Sequence, residues 1–157
     1  MQNPTEPRWL QVARAEIGVK EKPGGAAHHP RILEYHATTS LRAKTDEVPW
    51  CASFVNWVLK QAGITGTNSA AAISWTAWGK ACDPNSGAVV VIRRKAGPGE
   101  DSATGSSSGN HVGFLLSVDK AHVRILGGNQ SNAVKESLFP LEKYKVLAYR
   151  WPIEKEG

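Results

Sequence analysis

The sequence of 157 residues is 41% hydrophobic and 21% charged, a composition that is typical of a globular domain and excludes general disorder. Its formal net charge of +5 favours anionic partners, such as nucleic acid, acidic membranes or the anionic polymers of a cell envelope. No block of five basic residues indicates a nucleic-acid arm, and no apolar stretch is long enough for membrane insertion. We expect one domain over residues 1–157, with its core at about 5–152, and a monomer.

The first half of the sequence predicts helices, because its apolar residues recur at helical spacing. The predicted helices span about 5–18, 30–36, 50–62 and 69–80. The third is the most regular: Val55, Val58 and Leu59 form one apolar stripe, and Gly63 follows as its natural stop.

The second half predicts strands, because short β-branched or alternating runs replace the helical spacing. These strands lie at about 88–92, 111–118, 122–126, 134–139 and 146–151. A loop rich in Gly and Ser, at residues 97–110, separates the first two, and we expect it to be flexible. Helices followed by strands indicate an α+β fold, with N-terminal helices on a C-terminal antiparallel sheet.

Cys51 is the candidate nucleophile, because it falls in the first turn of the third predicted helix. The N-terminus of a helix favours negative charge, so the reactive thiolate is expected to be favoured there. The alternative interpretation is a core cysteine, since cysteine is among the most buried residue types. We expect Cys82 to be an unreactive thiol; a Cys51–Cys82 disulfide would remove the nucleophile.

His111 is the candidate base, because it opens a strand directly after the Gly/Ser loop, where a side chain can face a cleft. Asn129 ends the strand that returns from it, within a Gly-Gly-Asn-Gln segment. Its amide oxygen would accept a hydrogen bond from one imidazole nitrogen and leave the other facing Cys51. The alternatives are a structural strand histidine and a turn asparagine.

Four motifs in order resemble those of the CHAP and NlpC-type cysteine peptidases, and the matching covers about residues 5–152. They are Asp-Glu-x-Pro-Trp-Cys-Ala-x-Phe-Val-Asn-Trp, Gly-Asn-His-Val-Gly-Phe, Leu-Gly-Gly-Asn-Gln-Ser-Asn and Tyr-Arg-Trp-Pro. The resemblance implies a papain-like fold and metal-free cleavage of amide bonds in peptidoglycan. It is closest to small single-domain hydrolases of phages and prophages. Carried over, Cys51, His111 and Asn129 match the nucleophile, the base and the polar third position.

One position departs from the family pattern. Many CHAP domains place a glutamate two residues before the asparagine, where this chain has Gly127. Orientation of the histidine is then expected to rest on Asn129 alone, or on another group that the sequence does not identify. Four further residues are candidates for substrate binding: Asp46 and Glu47 for a cationic amine such as that of diaminopimelate, Trp50 for a groove wall, and Gln130. His28, His29 and His36 do not form a convincing metal site, so we expect no metal and no cofactor.

The expected function is peptidoglycan hydrolysis by a phage endolysin. A secreted antibacterial amidase toxin of the same fold, a non-catalytic wall-binding module and a papain-like hydrolase of proteins are the alternatives. The N-terminus has no apolar run and predicts no signal peptide. We therefore expect a protein made in the host cytoplasm that acts in the periplasm or cell wall after release. The sequence leaves the cleaved bond open.

Overall fold

The computed structural model describes residues 6–20, 30–39, 50–99, 103–104 and 108–153. Three α-helices come first, α1 (Arg8–Ala15), α2 (Pro30–His36) and α3 (Cys51–Gln61), followed by a 3₁₀ helix at Ala72–Ala77. Six strands follow: β1 (Lys80–Ala81), β2 (Val89–Arg94), β3 (Asn110–Val118), β4 (His122–Gln130), β5 (Ala133–Pro140) and β6 (Tyr144–Trp151). This order confirms the predicted α+β class. None of the described helices is long and apolar enough to cross a membrane.

The six strands form one antiparallel sheet in the order β1-β6-β2-β3-β4-β5. Strands β3 and β4 are therefore direct neighbours, as the predicted hairpin requires. Because β3 begins with Asn110 and His111 and β4 ends with Asn129 and Gln130, this pairing brings the predicted base and the predicted third residue to the same end of the sheet.

Both faces of the sheet are covered, which explains the continuous apolar run of β2. Val89 and Val91 belong to the cluster that includes the helices, whereas Val90 and Ile92 belong to a second cluster on the other face. All four are fully buried. A strand that buries both faces has no polar alternation, so its sequence is apolar throughout.

Helix α3 lies at the centre of the first cluster, and every residue from Cys51 to Leu59 is buried. It ends where the sequence predicts, because Gly63 adopts a positive φ of 79°. The N–H of Ile64 then donates to the carbonyl of Leu59 at 2.8 Å, which satisfies an orphan carbonyl at the end of the helix.

The helix predicted over residues 69–80 is wrong in type and length, since only Ala72–Ala77 is helical and it is 3₁₀. Two hydroxyls contribute to this difference: Ser74 donates to the carbonyl of Ala71 at 2.6 Å, and Thr76 to that of Ile73 at 2.8 Å. Such local bonds compete with a regular helix. The chain then turns at Gly79, with a φ of 62°, into the short strand β1.

Strand β4 is four residues longer than predicted, because it continues from Leu126 to Gln130 through a β-bulge. Gly127 pairs with Lys135 and Gln130 with Ala133, so β4 has one residue more than β5 between these two pairs. An extra residue turns the following side chain to the opposite face. The side chains of residues 127 and 130 therefore point to the same face of the sheet.

Candidate active site

Cys51 is the first residue of α3, and the fold holds its thiol against the beginning of β3. The sulfur lies within hydrogen-bonding range of the backbone N–H of Val112, the residue directly after His111. Helix α3 packs on the sheet here, since Val112 and Cys51 belong to the same buried cluster. The beginning of α3, with Cys51, and the beginning of β3, with His111, thus lie next to each other, whereas the ring of His111 packs beside Phe139, which belongs to the cluster on the other face of the sheet.

The thiolate of Cys51 is not favoured in this environment, contrary to the sequence-based prediction. Burial raises the pKa of the Cys51 thiol above its usual value, because a charge is costly away from water. The backbone N–H groups of Val112, Ala52 and Cys51 itself lower the pKa, but by less. The N–H groups at the start of the helix therefore lower the pKa of Cys51, as predicted, but burial raises it by more. Only 4% of Cys51 is exposed.

This raised pKa predicts a loss of stability at alkaline pH. The folded protein keeps the Cys51 proton at pH values where the unfolded thiol, with a pKa of about 8.5, has lost it. The stabilisation is complete below that unfolded pKa and is lost as the pH rises through the folded pKa. We expect the free energy of unfolding, measured in urea between about pH 8 and pH 10, to fall more steeply in the wild type than in Cys51→Ala. Equal slopes would contradict a buried thiol.

His111 is fully buried, and one nitrogen of its ring bonds a side chain of the neighbouring strand. Its Nε2 lies 2.9 Å from Oε1 of Gln130. The amide nitrogen of Gln130 donates to the carbonyls of Ile125 at 3.2 Å and Lys135 at 2.7 Å. Because these two bonds require the NH₂ group, the Gln130 oxygen is an acceptor and Nε2 of His111 carries the proton. In this neutral tautomer, Nδ1 is the basic nitrogen.

The space beside this histidine is filled by the amide of Gln130. A Cβ atom at Gly127 would lie 2.5 Å from Oε1 of Gln130 and 3.3 Å from Nε2 of His111. Position 127 therefore faces the same bond, as the bulge in β4 requires. The ring of His111 also packs beside Phe139 of β5, with 5.5 Å between the ring centroids.

A family model described as "CHAP domain" matches residues 43–129, which is more than half of the chain. The chain belongs to the CHAP family. The match begins before α3 and ends one residue before Gln130, so it includes Cys51, His111 and Asn129. CHAP domains are in general hydrolases that act on peptidoglycan, and peptidoglycan is accordingly the substrate that the family implies. No curated protein matches this CHAP chain significantly.

Asn129 does not make the bond predicted for it in this CHAP domain. Nε2 of His111 donates instead to Oε1 of Gln130, a residue that the sequence predicts to bind substrate. Asn129 is the bulge residue, 2% exposed and in the left-handed conformation with a φ of 62°. Sequence reasoning missed this exchange because the bulge reverses the alternation of side chains along β4.

The predicted substrate groove is not formed by Trp50, which is fully buried. Its ring stacks on Tyr35 at 5.8 Å between centroids, and a Cβ atom at Gly128 would come within 2.7 Å of it. Gln130 is likewise fully buried and has its hydrogen bonds inside the protein. Asp46 and Glu47 lie outside the described residues.

Two of the cavities that described residues line do not include Cys51. One, of about 590 Å³, lies between the end of α2 and the end of α3; the other, of about 560 Å³, is lined by Trp9, Trp78 and Trp151. Within the described ranges no three His, Cys, Asp or Glu side chains cluster as metal ligands. Cys82 and Cys51 are both free thiols, and His28 and His29 lie outside the described residues.

Proposed function

We propose that this CHAP protein is a papain-like cysteine hydrolase that cleaves an amide bond in the peptide part of peptidoglycan. Cys51 is the nucleophile and His111 the base. One observation carries the proposal: the sulfur of Cys51, at the start of α3, lies against the N–H of Val112, one residue from a histidine with a defined tautomer. A thiol, a base and a group that fixes the base are the parts that this chemistry needs.

The first half of the reaction forms a thioester. Nδ1 of His111 takes the proton of the Cys51 thiol, and the sulfur attacks the carbonyl carbon of the amide. The first backbone hydrogen bond of α3 runs from the N–H of Phe54 to the carbonyl of Trp50 at 2.9 Å. The N–H groups before Phe54 in the first turn therefore take no part in the backbone hydrogen bonds of the helix. That of Cys51 is the proposed donor to the oxyanion. The imidazolium then protonates the leaving amine.

The second half regenerates the thiol. His111 takes a proton from water, the resulting hydroxide attacks the thioester carbonyl, and the carboxylic acid leaves as Cys51 regains its proton. The net reaction converts one amide and one water into an acid and an amine. Because only 4% of Cys51 is exposed, the proposal requires that the sulfur be uncovered when the substrate binds.

We further propose that the protein is an endolysin, made in the host cytoplasm and acting on the wall after release. Its net charge of +5 supports binding to an anionic envelope. A basic surface also speeds encounter with an anionic polymer at low salt, so we expect lysis to weaken as ionic strength rises.

Purified sacculi test the proposed reaction directly. We expect the wild type, with no added metal and in the presence of a chelator, to release free amines from sacculi, and mass spectrometry of the fragments to identify the cleaved amide. A panel of unfolded proteins incubated in parallel distinguishes this activity from general proteolysis. The absence of new amines from sacculi, or faster cleavage of the proteins, would contradict the proposal.

A further inference from the structure

We propose that Gln130 is the positioning residue of His111, so that this site orients its base with a neutral amide. The inference rests on the proposed function in so far as His111 is the base. It is carried by the bond between His111 Nε2 and Gln130 Oε1, at 2.9 Å, between two fully buried side chains.

The amide of Gln130 is fixed in one orientation. Its nitrogen donates to the carbonyls of Ile125 and Lys135, at 3.2 and 2.7 Å, and its oxygen faces His111. Rotating the amide by half a turn would place its NH₂ group against the imidazole N–H and its oxygen against two carbonyls. Such a rearrangement would leave buried polar groups unsatisfied, which is costly. The histidine is therefore held with its proton on Nε2.

The bulge in β4 brings Gln130 to this position. Without the additional residue between Gly127 and Gln130, the two side chains would lie on opposite faces of the sheet. The left-handed conformation of Asn129 takes up the extra residue. Bulges near active sites commonly redirect a side chain in this way.

Gly127 leaves room for the side chain of Gln130. Any side chain at position 127 would place its Cβ 2.5 Å from the Gln130 oxygen, so a large residue at 127 and the observed Gln130 exclude each other. The glycine at position 127 leaves open the space that the amide of Gln130 occupies. The ring of His111 contacts the uncharged side chains of Gln130 and Phe139, and the thiol of Cys51, in α3, lies near the start of β3.

The first test is spectroscopic and does not depend on activity. In wild-type protein labelled with ¹⁵N-histidine, we expect the neutral form of His111 to show a protonated Nε2 and an unprotonated Nδ1. In Gln130→Met, which keeps the length but removes the acceptor, we expect a mixture of tautomers. A wild-type spectrum with the proton on Nδ1 overturns the proposal, as does an unchanged Nε2–H tautomer in Gln130→Met. If Asn129→Gly gives a mixture of His111 tautomers and Gln130→Met does not, Asn129 is the positioning residue.

The second test measures amine release from sacculi as a function of pH. We expect Gln130→Met to lower kcat roughly 100-fold with little change in KM, because losing the partner of a functional histidine typically has an effect of this size. The matched control, Gln61→Met at the exposed end of α3, should stay within about twofold of wild type. Wild-type kcat in a folded Gln130→Met protein would overturn the proposal.

A double variant separates positioning from structural support. Gly127→Glu combined with Gln130→Ala returns a carboxylate to the space beside Nε2. We expect it to recover activity relative to Gln130→Ala alone and to move the acidic limb of the pH profile upward, because a neighbouring negative charge stabilises the imidazolium, which must lose its proton before His111 can act as a base. A double variant as inactive as Gln130→Ala, with both folded by circular dichroism, would overturn the inference. If the wild type itself releases no amines, the proposed function fails, whereas the tautomer of His111 still tests the role of Gln130.

Discussion

Replacement of Cys51 by alanine is expected to lower the rate of amine release from sacculi by at least about 10⁴-fold, because the covalent route through a thioester disappears with the sulfur. Because Cys51 is buried, the two interpretations, a nucleophile and a core cysteine, predict different results for this variant. A core cysteine with 4% exposure would tolerate alanine with a small loss of stability and an unchanged rate per folded molecule. If Cys51 is the nucleophile, the alanine variant loses the rate of amine release and stays folded.

The matched control for this variant is Cys82→Ala, since Cys82 is the second free thiol and is only partly buried. We expect Cys82→Ala to stay within about twofold of the wild-type rate. Thermal unfolding of both variants shows whether each is folded under the assay conditions. A folded Cys51→Ala protein that retains more than about a tenth of the activity would contradict the cysteine mechanism.

The elements that place Cys51 could be predicted because their signals are local. The apolar stripe of α3 and the glycine at its end determine where the helix lies, and the structure gives Cys51–Gln61 against the predicted 50–62. The β-branched run of β2 and the hairpin of β3 and β4 are equally local. The same signals place His111 at the beginning of its strand.

The partner of His111 could not be predicted, because it depends on pairing between distant segments. Counting residues along β4 favours Asn129, but one additional residue in the ladder turns Gln130 toward the imidazole. The raised pKa of Cys51 could not be predicted for a related reason. The helix start is visible in the sequence, whereas the desolvation that outweighs it comes from packing of α3 on the sheet.

The environment of Trp50, next to the proposed nucleophile, also depends on packing that the sequence does not show. From the sequence, an aromatic residue next to a catalytic cysteine is equally suited to a groove wall and to a core. The structure places its indole among the helices and β4, stacked on Tyr35 and against Gly128. It is also the residue that precedes α3, and its carbonyl accepts the first backbone bond of the helix. Its packing therefore helps to hold the position of Cys51.

Replacement of Trp50 by alanine is accordingly expected to destabilise the protein by about 3–5 kcal/mol, the usual cost of removing a fully buried tryptophan. For a chain of this size the midpoint of thermal unfolding should fall by roughly 10 °C. Trp50→Phe, which leaves a smaller cavity, should lose less, and Leu138→Ala, at a side chain that is 52% exposed, should lose about 0.5 kcal/mol or less. Calorimetry and urea unfolding measure these differences.

The kinetic consequence distinguishes packing from substrate contact. If Trp50 supports the start of α3, its replacement moves the sulfur relative to His111, and kcat falls while KM changes little, since small displacements of reacting groups are costly. If Trp50 instead lined a groove, Trp50→Ala would raise KM and leave the unfolding midpoint nearly unchanged. The second pattern would contradict the packing role of Trp50, because a fully buried indole cannot be removed without a loss of stability.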